Sequence, residues 1–280
     1  MSHHRKCRSS AGFSERVRSL TARAFAVGLI GALAVVASAL AIPTATLVKD
    51  INAGSASSGP GSFANVAGTA FFSADDGTHG YELWKSDGTA AGTKLVKDIL
   101  PGGGSPYPGP FTNVAGTLFF SANDPTHGSE LWKSDGTAAG TKLVKDINPG
   151  SGSSYPSYLT NVAGTAFFSA YDPTHRYELW RSDGTAAGTK LVKDINPGSG
   201  GSVPESLTNV AGTLFFSADD GTLGRELWRS DGTAAGTALV RDIRRASTGS
   251  FPQSLTNVAG TLYFSANDGT HGYELWKAVP

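Results

Sequence analysis

The chain has 280 residues, with 23 Lys and Arg against 23 Asp and Glu, 36 Gly, 14 Pro and one Cys. That length makes one large domain or two small ones, and a single cysteine excludes both a disulfide framework and a cysteine-held zinc site. The zero net charge is unevenly spread: residues 1–43 are strongly basic and the remainder mildly acidic, which leaves no electrostatic footprint for nucleic acid or an anionic membrane.

The first element is an address label. Basic residues from Arg5 to Arg23 precede an uncharged apolar run, residues 24–42, and Ala39 and Ala41 supply small residues for cleavage before Ile42. Basic, apolar and small-residue regions in that order predict a secretory signal peptide over residues 1–41. An uncleaved anchor is the alternative, since the run is long enough to cross a bilayer. Cys7 lies before the apolar run and is no lipoprotein cysteine. The expectation is an exported domain over residues 42–280, secreted or at the cell surface, with no membrane insertion after cleavage.

From there the chain repeats itself. Trp84, Trp132, Trp180, Trp228 and Trp276 are spaced by 48 residues, each inside Glu-Leu-Trp. Val-Ala-Gly-Thr recurs from Val66, Val114, Val162, Val210 and Val258, and Leu-Val-Lys/Arg-Asp-Ile from Leu47, Leu95, Leu143, Leu191 and Leu239. Each unit reads as four short strands: the SLTNV type closed by an Ala-Gly turn, TLFFSA, YELWKSD, and TKLVKDI after a GTAAG loop. Nothing after residue 43 has helical periodicity. A period of 40–50 residues with four strands per unit predicts β-propeller blades, and a solenoid rung is shorter. The mature chain opens with a lone fourth-type strand, residues 44–51, and ends after a third-type strand. The fold class is therefore all-β: a five-bladed β-propeller whose N-terminal strand completes the last blade and closes the ring.

The motif Glu-Leu-Trp-x-x-Asp-Gly-Thr, intact at 82–89, 130–137, 178–185 and 226–233 and departing in the fifth copy, which reads Glu-Leu-Trp-Lys-Ala-Val-Pro, resembles the ELWxxDGT repeat family of exported bacterial proteins. The resemblance covers residues 44–280 and implies no particular reaction. In architecture, though not in motif, the ring is similar to tachylectin-type lectins.

A tryptophan in every blade could stack sugars, but perfect recurrence inside a strand points to packing between blades. Asp87, Asp135, Asp183 and Asp231 precede Gly-Thr at a hairpin, where a carboxylate holds a turn; calcium is the sharper alternative, without the DxDxDG spacing it favours. His79, His127, His175 and His271 share a turn position that Leu223 takes in the fourth copy. Turns that far from the axis should lie too far apart to share one ion, so neither metal nor cofactor is expected. Residues Ser73–Thr78 resemble part of the sialidase Asp-box, without its final aromatic residue.

Residues that break the repeat are the candidates for function. Tyr107, Tyr155, Tyr158, Phe251, Arg244, Arg245 and Glu205 stand in or beside the between-blade loops, and Tyr171, Arg176 and Arg225 in the neighbouring turns. The expected function is a non-catalytic binding or scaffold module that recognises a glycan or cell-surface protein through these loops, and no enzyme. A purely structural surface protein is the alternative. A propeller glycoside hydrolase is a further one, for which Glu205 is the acidic residue without a counterpart in other units.

Overall fold

The computed structural model describes residues 44–280 apart from Ala246, and the expected signal peptide lies outside the described residues. All assigned elements are strands. Blade 1 holds β1 (Gly61–Val66), β2 (Thr69–Asp75), β3 (Tyr81–Ser86) and β4 (Lys94–Lys97). Blade 2 holds β5 (Thr112–Val114), β6 (Thr117–Asp124), β7 (Gly128–Ser134) and β8 (Lys142–Lys145). In blade 3 follow β9 (Ser157–Val162), β10 (Thr165–Asp172), β11 (Arg176–Ser182) and β12 (Lys190–Lys193). Blade 4 holds β13 (Glu205–Val210), β14 (Thr213–Asp219), β15 (Arg225–Ser230) and β16 (Ala238–Arg241), and blade 5 holds β17 (Gln253–Val258), β18 (Thr261–Asn267) and β19 (Tyr273–Ala278). Strands pair antiparallel in chain order within each blade, giving four four-stranded sheets and one three-stranded sheet. This is a five-bladed β-propeller.

Local chemistry explains the hairpins. Ala67 and Gly68 both have positive φ, 49° and 84°, as the turn from β1 to β2 requires. The Asn65 side chain holds it by accepting the Gly68 amide at 2.9 Å. At the next hairpin Asp87 Oδ1 accepts both the amide and the hydroxyl of Thr89, at 2.9 and 2.7 Å. A Cβ on Gly92 would run into the Asp87 carboxylate, which is why glycine closes that loop. Asp135, Asp183 and Asp231 make the same pair of bonds to Thr137, Thr185 and Thr233.

Packing between blades builds the core. Phe71, Leu83, Val96 and Ile99 of blade 1 meet Leu118, Phe120 and Trp132 of blade 2, and the same arrangement recurs at the next three junctions. Because both faces of a blade are covered, the second strand of each unit is apolar throughout instead of alternating. Trp132, Trp180 and Trp228 are buried in these layers, and Trp84 is buried under Ile51 and Leu95. Burying an indole of ~200 Å² at ~25 cal/mol/Å² supplies at most about 5 kcal/mol.

Two polar ladders stitch the layers together. Asn113, Asn161, Asn209 and Asn257 donate their side-chain amides to the backbone carbonyl of the matching Asn one blade earlier, at 2.9–3.1 Å. Lys97 donates to the Thr141 carbonyl of the next blade at 2.8 Å while its ammonium sits 5.9 Å above the Trp132 ring.

The fourth strand is shorter than the TKLVKDI reading, because Asp-Ile has already left the ladder. Residues 44–51 are not assigned as a strand, and β19 pairs only with β18. Lys49 and Ile51 instead cover blade 1 as the preceding blade's last strand would: Lys49 lies 5.8 Å above Trp84 and donates to the Thr93 carbonyl, and Ile51 packs on Phe72. On blade 5, Leu275 is 76% and Val258 53% exposed, where Leu83, Leu131 and Leu179 are buried.

Candidate functional site

Each of the first four blades carries a glutamate inside its core, and the matching Glu274 of blade 5 is exposed. Glu82, Glu130, Glu178 and Glu226 are fully buried on the third strand. Glu130 accepts the Ile147 and Asn148 amides at 3.0 and 3.2 Å, and the amide and hydroxyl of Ser154 at 3.0 and 2.6 Å. It therefore folds the between-blade loop onto its own blade. Glu178 and Glu226 repeat this with Ser202 and Ser250. Blade 1 departs: Pro106 stands at the place of Ser154, and Glu82 Oε2 is left buried without a partner. Burial pushes Glu82 and Glu130 up to about 7. The recurrence of this glutamate was legible in the sequence; its work as a loop anchor was not.

The histidines are fixed by their own turns. His79 Nδ1 lies 2.8 Å from Asp76, His127 2.9 Å from Asp124, His175 3.0 Å from Asp172 and His271 2.8 Å from Asp268. The Asp76 side chain pushes His79 up. Where Leu223 replaces histidine, Asp220 still accepts the Thr222 and Leu223 amides, so the carboxylate alone makes the turn. Among the described residues no group of three His, Cys, Asp or Glu is placed to hold a metal ion.

Tyr107, Tyr155, Tyr158 and Phe251 are exposed. All four have φ between 48° and 56°, the left-handed region that bulky residues seldom enter. Their backbone is more committed than a free loop would be. The Tyr155 amide donates to Ser129 of β7 and the Phe251 amide to Arg225 of β15, and Tyr158 lies inside β9. Tyr107 stacks on Tyr81 at 5.7 Å, beside a cavity of about 400 Å³ that reaches Pro108 and Pro110. Tyr155 and Tyr158 stand together at the entry to blade 3, whereas Tyr107 precedes blade 2 and Phe251 precedes blade 5.

Blade 4 concentrates the charged departures from the repeat. Glu205 opens β13, opposite Ser217, and Arg225 opens β15, opposite Asp219. Paired and next-but-one residues share a face, so Glu205, Ser217, Asp219 and Arg225 lie together on one side of the sheet. Arg225 NH1 is 3.5 Å from Glu205 and donates to the Val203 and Ser217 carbonyls at 2.9 and 3.3 Å. Ser217 Oγ is buried without a partner, whereas Ser73 in blade 1 bonds the Gly61 carbonyl. At Arg225 the other blades have Tyr81, Ser129, Tyr177 and Tyr273, and at Glu205 they have Gly61, Gly109, Ser157 and Gln253. Sequence reasoning singled out both residues separately; the register of two strands brings them together. Arg244 and Arg245 line a different place, a cavity between blades 4 and 5.

No protein-family model and no curated protein sequence matches the chain. Among solved structures it is similar to a puromycin hydrolase, at 14% identity over 78% of this chain and 36% of that one, with a TM-score of 0.50. It is also similar to the GH43 endo-arabinanase from Bacillus licheniformis, at 14% identity over 77% of this chain and 91% of that one, with a TM-score of 0.29. A third is the xyloglucan PUL GH43B from Bacteroides ovatus, at 13% identity over 79% of this chain and 52% of that one, with a TM-score of 0.34. The chain thus spans about a third of the length of the puromycin hydrolase. The first of these neighbours is a hydrolase, and it corrects the expectation of a non-catalytic binding or scaffold module that is no enzyme. At such identity the likeness is one of fold, and hydrolysis comes to this chain as a proposal.

Proposed function

We propose that the chain is a propeller glycoside hydrolase working on exported or extracellular polysaccharide, with its chemistry at the start of β13 in blade 4. One observation carries this reading: Glu205, the acidic residue without a counterpart in the other units, shares a sheet face with Asp219 around Arg225. Glu205 departs from the repeat and is free to serve a substrate, while Asp219 matches Asp75 and accepts the Gly221 amide at 2.7 Å through one carboxylate oxygen. As diagonal neighbours on adjacent strands the two residues lie roughly 7–8 Å apart, somewhat less between their Cβ atoms. Carboxyl groups about 6.5–9.5 Å apart suit inverting hydrolysis, in which one protonates the leaving oxygen and the other draws a proton from water on the opposite face of the sugar. Arg225 is held by two carbonyls as well as by Glu205, so it keeps the pair in register without moving.

The test is release of reducing ends from arabinan, β-1,3-galactan, xyloglucan and polygalacturonate by residues 42–280. Glu205→Gln and Asp219→Asn should each lower the rate about a hundredfold or more, as removal of a general acid or base does. Asp75→Asn, the matching position in blade 1, should leave it unchanged. No release from any of the polymers, or a Glu205→Gln variant as active as the parent, would sink this reading.

A further inference from the structure

Between blades 4 and 5 lies a cavity of about 580 Å³ whose lining includes Arg241, Arg244, Arg245, Asp242, Asp268 and Trp276. The equivalent cavity between blades 2 and 3, about 450 Å³, has Lys145, Asp146, Asp172 and His175 in its lining and no arginine. The junction is thus a standing feature of the fold, and at this one place its charge is reversed.

The reversal comes from two substitutions. Asn148 and Asn196 use this position to cap their own loops, donating to the Ser153 and Gly201 carbonyls. Arg244 replaces that amide and lies along Gly269, across the junction in blade 5, as Asn196 lies against Gly221. Arg245 stands where three other copies have Pro101, Pro149 and Pro197, and it is exposed. Arg241 sits 5.9 Å above the Trp276 ring, as the lysines do over their own tryptophans.

Among the described residues none of the three guanidinium groups is in an ion pair. Of the two carboxylates in the lining, Asp268 is already committed to His271 and to the Thr270 amide, and Asp242 offsets one of the three guanidinium charges. The positive charge is therefore left facing the cavity, and a guanidinium fork matches a carboxylate or sulfate better than any neutral hydroxyl.

The same loop runs to the site in blade 4. The Ser250 and Phe251 amides, a few residues past Arg245, both donate to the Arg225 carbonyl at 3.0 Å. We infer that the cavity is a subsite for the anionic group of an acidic polysaccharide, a uronate carboxylate or a sulfate, whose chain runs on toward Glu205 and Asp219. This deepens the hydrolase reading and rests on it for the direction of the chain.

Affinity electrophoresis of residues 42–280 in gels containing polygalacturonate, dextran sulfate or uncharged dextran tests it. Retardation is expected in one or both acidic polymers and not in dextran, and the polymer that retards identifies the anion. The double change Arg244→Ser with Arg245→Ser should abolish it, and Arg244→Lys with Arg245→Lys should weaken it several-fold, because charge remains without the fork. Removing two exposed charges elsewhere, Lys142→Ser with Lys190→Ser, should leave retardation intact. The inference is overturned by equal retardation in dextran, by a double serine variant that melts normally and is retarded like the parent, or by an equal loss in the lysine control. Since the readout is binding, a Glu205→Gln protein serves equally well. Absence of turnover sinks the hydrolase reading alone, and unchanged retardation of the arginine variant sinks this one alone.

Discussion

The buried glutamates decide how the molecule responds to pH. Glu82 and Glu130 rise from an ordinary 4.5 to about 7 because burial disfavours their charged form. Between those two values the folded chain holds protons that the unfolded chain has released, so stability is full below about 4.5 and falls as pH climbs through 7. On the acid side, Asp87 and its copies are lowered by the Thr89 hydroxyl and its counterparts, and they give up stability as pH falls through their folded values. Thermal melts across a pH series should therefore peak near about pH 4–5 and decline toward about pH 8. Glu130→Gln, which keeps the shape and cannot ionise, should flatten that decline. A melting temperature that rises steadily from pH 5 to about pH 8 would contradict it.

Strands and their junctions set the cost of a single change. Trp180 is buried between blades 2 and 3 among Leu131, Val144 and Phe168, so Trp180→Ala should cost about 3–5 kcal/mol. Asn161 works by a different mechanism at the axial ends of the same blades: it donates to the Asn113 carbonyl at 3.1 Å and accepts the Gly164 amide at 3.0 Å. Asn161→Ala loses both bonds and should cost about 1–3 kcal/mol. Denaturant melts of the two variants should preserve that order. An alanine at Trp180 with parental stability would mean the indole is not part of the layer.

Across the whole propeller, the ends of the array differ from its middle. Residues 44–51 supply Lys49 and Ile51 to the face of Trp84 and Phe72, replacing a preceding blade, yet they form no ladder with β19. Removing residues 44–51 exposes that apolar face and should lower the melting temperature by several degrees, about 2–4 °C for each kcal/mol lost in a domain of this size. Equal melting temperatures with and without the segment would show that it stabilises nothing.

Repetition made the fold readable. A 48-residue period marked by Glu-Leu-Trp, with turn residues where the backbone needs positive φ, is local information, and it was enough for five blades and their strand order. The buried Glu130 with Ser154, the Asn ladder and the Glu205–Arg225 pair were not legible, since each joins residues about 20 to 48 positions apart whose meeting depends on strand register and on one blade lying against the next. The sequence by itself determined which positions belong to the ring and which depart from it. Only the tertiary structure decided which departures meet: Glu205 and Arg225 of blade 4 come together on one sheet face beside Asp219.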